Sequence, residues 1–161
     1  MKKILSICIF VILILCGCTS NEEVISKFSI EPTETNIYES KVKHSYQVEV
    51  YHIDDIVIKT VVMDKYELID GKYDNLKMKK ELADKTFSNE VFDVNGFSYS
   101  SEIESNYIVL NMTYDFEAMD VESLLINESQ LVDIVYLNDN YEVVYSILKA
   151  EYIKAGLICE E

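Results

Sequence analysis

Between Lys41 and His52 the residues alternate between a mainly apolar and a mainly polar side, and no other stretch restricts the fold so strongly. Val42, His44, Tyr46, Val48, Val50 and His52 fall on one side, and Lys43, Ser45, Gln47, Glu49 and Tyr51 on the other. That period of two belongs to a β-strand with one buried face. Ile56 to Leu68 is equally rich in β-branched residues, and Ile53-Asp54-Asp55 between them supplies turn chemistry. The pattern predicts a long hairpin.

The rest of the chain fills in around it. Phe28 to Glu31 reads as a short strand ended by Pro32, the only proline, and Thr33 to Asn36 as loop. Asp70-Gly71 reads as a turn, and Asp74 as the cap of a helix running to about Ser88. In that helix Leu76, Ala83 and Phe87 share a face, with Lys77–Glu81 and Lys80–Asp84 as i,i+4 pairs outside. Gly96 to Ile103 and Tyr107 to Phe116 suggest a second hairpin through Glu104-Ser105-Asn106. Ile108, Leu110, Met112, Tyr114 and Phe116 all face one way in its return strand. Val121 to Ile126 and Leu131 to Leu137 are apolar runs that fit short helix or strand equally, so the state of Asp120 to Glu142 stays open. After a turn at Asn138-Asp139-Asn140, Ser146 is expected to cap a last helix with Leu148, Tyr152 and Ala155 as its stripe. Gly156 closes that helix, and Leu157 and Ile158 tuck back onto the core. Hairpin, helix, hairpin, helix specifies an α+β domain: a mainly antiparallel sheet built from two hairpins, with two or three helices packed on one face.

The N-terminus carries a different message. Lys2 and Lys3 precede an uncharged run from Ile4 to Gly17, fourteen residues long. A membrane-spanning helix needs roughly 20, and no basic cluster follows, so the layout is that of a cleaved secretory signal. Leu15-Cys16-Gly17-Cys18 resembles the bacterial lipobox, with Cys16 where Ala, Ser or Thr is usual. The resemblance implies cleavage after Gly17 and diacylglycerol on Cys18, and two acyl chains give stable anchoring where one does not. Residues 1–17 are then signal, 18–26 a lipid-anchored tether, and 27–161 a single domain on the extracytoplasmic face of a cell membrane.

Charge and cysteine usage narrow the chemistry. Beyond the signal, 29 acidic residues stand against 12 lysines, a net charge of −17. No Lys, Arg or His occurs between Lys85 and Lys149. Such a field repels nucleic acid and favours cationic partners. With Cys8 and Cys16 removed and Cys18 lipidated, Cys159 is the one remaining thiol, which leaves no intramolecular disulfide. The twelve tyrosines fit the Ile-, Lys- and Asn-rich composition of an AT-rich genome and carry no functional weight by themselves. His44 and His52 lie roughly 26 Å apart on one strand at about 3.3 Å per residue, too far to share a metal. Asp93-Val94-Asn95-Gly96 and Asn138-Asp139-Asn140 lack the spacing of a calcium loop. No Gly-x-Ser-x-Gly elbow and no glycine-rich phosphate loop occurs.

A lipobox, two consecutive long strands (Lys41 to Leu68), a lysine-rich helix (Asp74 to Ser88), a strand pair ending in Met112-Thr113-Tyr114-Asp115 and a terminal helix closing on Lys154-Ala155-Gly156-Leu157 together resemble the YehR-like small lipoproteins. Leu157 stands where an aromatic is usual there, and the acidic stretch from Asp120 to Glu142 is longer. The resemblance implies an envelope protein of unknown function and supplies no catalytic residues and no cofactor. Three readings of the activity follow. One is a non-enzymatic module that binds a cationic ligand, a divalent cation or an envelope protein through an acidic surface including Glu117, Asp120 and Glu122. The others are a structural or antigenic surface protein, and an envelope hydrolase built on paired carboxylates.

Overall fold

A computed structural model describes residues 22–87, 94–122 and 136–160. Seven described strands form one sheet. They are β1 (Val24–Ser29), β2 (Thr33–Ile37), β3 (Ser40–Ile53), β4 (Ile56–Asp70), β5 (Phe97–Ile103), β6 (Tyr107–Asp115) and β7 (Ile158–Glu160). Helix α1 (Tyr73–Phe87) lies between β4 and β5, and α2 (Tyr145–Lys154) precedes β7. The order across the sheet is β5-β6-β4-β3-β1-β7, with β2 also paired to β3, and every pairing is antiparallel.

Both expected hairpins are present, β3–β4 and β5–β6, but the sheet is larger than the two of them. Thr33 to Asn36, expected as loop, belongs to β2 and pairs with Lys41 to His44. Its burial pattern explains why it does not read as a strand: four exposed residues precede the buried Ile37, so it has almost no apolar alternation. β1 begins at Val24, inside the stretch expected as tether, and ends at Ser29, earlier than expected. β7 is a short C-terminal strand that closes the edge against β1, pairing Phe28 with Cys159.

The alternation read from Lys41 to His52 holds. Val42, Val48, Val50 and His52 are buried, and the register sets them beside Leu68, Val62, Thr60 and Val57 of β4. Both helices cover this inner face. Leu76 of α1 packs with Ile37, Val42 and Ile108, whereas Leu148 of α2 packs with Phe28, Val48, Val50 and Val62. Leu157 joins the second cluster, as expected, while Ile158 remains about half exposed on β7.

Local details depart from expectation in instructive ways. Asp74 sits in the first turn of α1, and Lys77 bonds to it at 3.2 Å instead of pairing with Glu81, whereas the Lys80–Asp84 pair forms at 2.6 Å. Ser146 is not the N-cap of α2. Val144 occupies that position without a side-chain bond, and the cap comes from Asp55 in the β3–β4 turn. At Gly71 the backbone is left-handed (φ +112°), and a Cβ there would fall 2.5 Å from Oγ of the fully buried Ser40. That hydroxyl accepts from the Lys72 backbone N–H and from Asn75 Nδ2, both at 2.9 Å, and so clamps the start of α1 onto the strand end.

Candidate functional site

The inner face between the footprints of α1 and α2 is polar at its centre. Tyr46 and Asp64 face each other across β3–β4, as do His44 and Tyr66. Nε2 of His44 donates to Oδ1 of Asp64 at 2.6 Å, and the Tyr66 hydroxyl donates to Oδ2 at 2.9 Å. The His44 and Tyr66 rings stack 4.5 Å apart. Burial, with the Asp64 charge adding to it, pushes the Tyr46 phenol up to about 12 and Tyr66 beyond the ordinary tyrosine range. Toward α1, Asp84 accepts from Tyr99 at 2.9 Å, Ser101 at 2.6 Å and Lys80 at 2.6 Å. Burial raises this carboxyl, but the bonds from Lys80, Ser101 and Tyr99 outweigh burial and hold it below its usual value. These two carboxylates are thus saturated with donors and tie elements together.

Toward α2 the same face opens into a cavity of about 220 Å³. Its floor is Tyr46, Thr60, Val62, Met112 and Tyr114 from β3, β4 and β6, and α2 supplies Leu148 and Tyr152. Phe116, Tyr136 and Val143 complete the wall. Tyr152 is braced edge-on against Phe28 with ring centres 5.2 Å apart, and Tyr114 packs against Phe97 at 5.1 Å. The hydroxyls of Tyr46, Tyr114, Tyr136 and Tyr152 form no hydrogen bond among the described residues, and no described side-chain polar atom is both buried and unpaired. Each of these hydroxyls therefore keeps some accessible surface, and all four residues line the cavity. Burial, first, and then the neighbouring phenols raise Tyr152, and burial raises Tyr114, so at neutral pH these groups are uncharged and can donate or accept.

Outside the cavity lies an acidic depression of about 380 Å³. Glu117, Asp120 and Glu122, singled out from the sequence, are brought together there and joined by Glu142. Phe116 and Val143 belong to both concavities, so cavity and depression share a wall. Among the described residues no group of three or more His, Cys, Asp or Glu is arranged to hold a metal ion. The lipobox residues Leu15, Cys16, Gly17 and Cys18 lie outside the described residues. So does much of the Asp120 to Glu142 stretch, at 123–135.

Two arrangements were not foreseen. One is the aromatic cavity, although Tyr46, Tyr114, Phe116 and Tyr152 each fall on the apolar face that the periodicity assigns. The other joins Tyr145, Ser26 and His52. Tyr145 Oη and Ser26 Oγ are 2.8 Å apart, Ser26 Oγ lies 3.2 Å from His52 Nε2, and Nδ1 of His52 donates to the Asp54 carbonyl at 2.8 Å. His52 is buried and stacks on Tyr145 at 3.7 Å. Ser26 lies mid-strand with its backbone in the β1–β3 ladder, unlike a nucleophile presented on a strained turn beside an oxyanion hole.

Among the described residues the fold is that of a small α+β protein, one antiparallel sheet with two helices on a single face. Two solved NMR structures share this fold. One is YehR of Escherichia coli, at 16% identity over 88% of this chain and 93% of that one, with a TM-score of 0.55. The other is a protein of Streptococcus pneumoniae, at 12% identity over 89% of this chain and 88% of that one, with a TM-score of 0.53. The resemblance to YehR read from element order is thus carried by the fold. No family model and no curated protein sequence matches the chain.

Proposed function

We propose that this chain is a lipid-anchored extracytoplasmic protein whose domain binds a small ligand and performs no chemistry on it. The observation that carries this reading is the aromatic cavity, lined by apolar side chains and by four tyrosines whose hydroxyls form no bond among the described residues. Apolar walls with a few convergent polar groups are the usual makeup of a ligand site. Support for a non-enzymatic role comes from the carboxyls. Asp84 and Glu49, both held below the ordinary range by bonds from neighbouring donors, serve as structural ion-pair partners and do not suit a general acid. The lipobox resemblance at Leu15 to Cys18 supports the anchored location.

A ligand-observed NMR screen of small apolar and amphipathic fragments tests the binding role on the full-length protein in detergent. Several fragments are expected to compete for one site and to lose binding in Met112→Trp, which puts an indole into the cavity. Failure of every fragment to bind, or binding unchanged in Met112→Trp, counts against the reading.

A further inference from the structure

We propose that the cavity's ligand is an organic cation, a small alkylated ammonium compound; this rests on the reading above that the cavity binds a ligand. Three features of the site select that chemistry.

The first is the lining. Tyr46, Tyr114, Phe116, Tyr136 and Tyr152 place five aromatic rings around about 220 Å³. Ring faces carry negative electrostatic potential, and a cage of them recognises cations, quaternary ammonium groups above all.

The second is the charge around it. Glu117, Asp120, Glu122 and Glu142 line the depression that shares Phe116 and Val143 with the cavity. Among the described residues, neither concavity has a Lys in its lining. An anion would meet the acids of the depression with no lysine in either described lining, whereas a cation is drawn inward.

The third is that, among the described residues, no carboxylate lines the cavity itself. A compact, strongly hydrated ion would lose its water without receiving a counter-charge. An alkylated ammonium sheds water readily and places methyl groups against the rings, while the phenols bond to a polar tail. Size agrees as well: a cavity of about 150 Å³ holds benzene, so this one has room for a trimethylammonium head and a short chain.

The test compares two probes of nearly identical shape, (2-hydroxyethyl)trimethylammonium and its uncharged carbon analogue 3,3-dimethylbutan-1-ol, by titration calorimetry on the full-length protein in detergent. The cation is expected to bind at least tenfold more tightly. Tyr46→Leu and Tyr152→Leu should each weaken it tenfold or more, whereas Tyr152→Phe keeps the ring and stays within threefold. The Phe variant separates loss of the cage from loss of the fold. Combining Glu117→Gln, Asp120→Asn and Glu122→Gln should weaken the cation several-fold and leave the alcohol unchanged. Equal affinity for the two probes overturns the cation assignment while the cavity remains a ligand site. Binding of neither probe also overturns it, and a silent fragment screen in addition removes the binding role itself.

Discussion

Asp55 holds Ser146 across ninety-one residues of sequence: its Oδ1 accepts from the Ser146 backbone N–H at 2.7 Å and its Oδ2 from the Ser146 hydroxyl at 2.8 Å. The Asp55 carbonyl also accepts from the Tyr145 N–H at 2.8 Å. A carboxylate from the β3–β4 turn thus caps α2, satisfies its first amide groups and complements its positive end. Because α2 supplies Leu148 and Tyr152 to the cavity, the turn sets one wall of the site. Asp55→Ala should cost about 1 kcal/mol and lower Tm by roughly 3 °C. Asp55→Asn, which keeps one acceptor, should cost less. Calorimetry that ranks Asn with or below Ala would show that the cap does not act through these bonds.

Gly71 and Gly156 offer a paired test of backbone against crowding. Both are left-handed, with φ +112° and +90°, but a Cβ at Gly71 would collide with Ser40, whereas one at Gly156 meets nothing within 4 Å. Gly156→Ala should lose about 1 kcal/mol, the price of the conformation alone. Gly71→Ala should lose at least about 2 kcal/mol, because the Ser40 clamp must also shift. Equal losses in chemical denaturation would sink the account of Ser40.

The strands and their faces were legible in the sequence because a period of two over a dozen residues has one structural meaning. Tyr46, Tyr114 and Tyr152 were even assigned to the right sides. Their convergence was not legible, since it depends on how α2 docks, and that depends on Asp55, which sits in a turn far from the helix it caps. Ser146 looked like the cap because capping is ordinarily local. β2 was missed for a related reason: Thr33 to Asn36 is polar on both sides and becomes a strand only through pairing with β3. The grouping of Glu117, Asp120 and Glu122 was visible because three acids within six residues stay close in almost any turn.

Alkaline pH should unfold the domain sooner than its net charge alone suggests. Tyr46, Tyr66, Tyr99, Tyr114 and Tyr152 are all raised, with burial the first cause in each. Below pH 10 these phenols are protonated in both states and stability does not depend on them. As pH rises above 10 the unfolded chain releases their protons first, so stability falls until the folded values are passed. Tyr46, with a folded value of about 12, accounts by itself for about 3 kcal/mol. Tyrosinate absorbance should rise cooperatively with loss of circular dichroism. A gradual rise at ordinary phenol values with the fold intact is the contrary outcome.

Asp84 makes the opposite prediction in acid. Its lowered carboxyl contributes stability that is complete above its ordinary value of 3.8 and is lost as pH falls through the folded value. Asp84→Asn should destabilise the α1–β5 contact at pH 7, and the gap from wild type should narrow below pH 4. A gap that is constant with pH would mean that packing, not charge, ties α1 to Tyr99 and Ser101.

The proposed anchoring rests on one thiol. Cys18→Ala should abolish incorporation of radioactive fatty acid and release the protein from membranes. Retained label and retained membrane binding in that variant would exclude lipidation at Cys18.

Ser29 and Glu160, hydrogen-bonded at 3.1 Å across the β1–β7 edge, are 131 residues apart. Strand β1 therefore cannot meet its outer partner until residues 158–160 have been synthesised, and contacts between distant parts of a chain form slowly. A nascent chain, still without its last residues, lacks the piece that finishes the sheet.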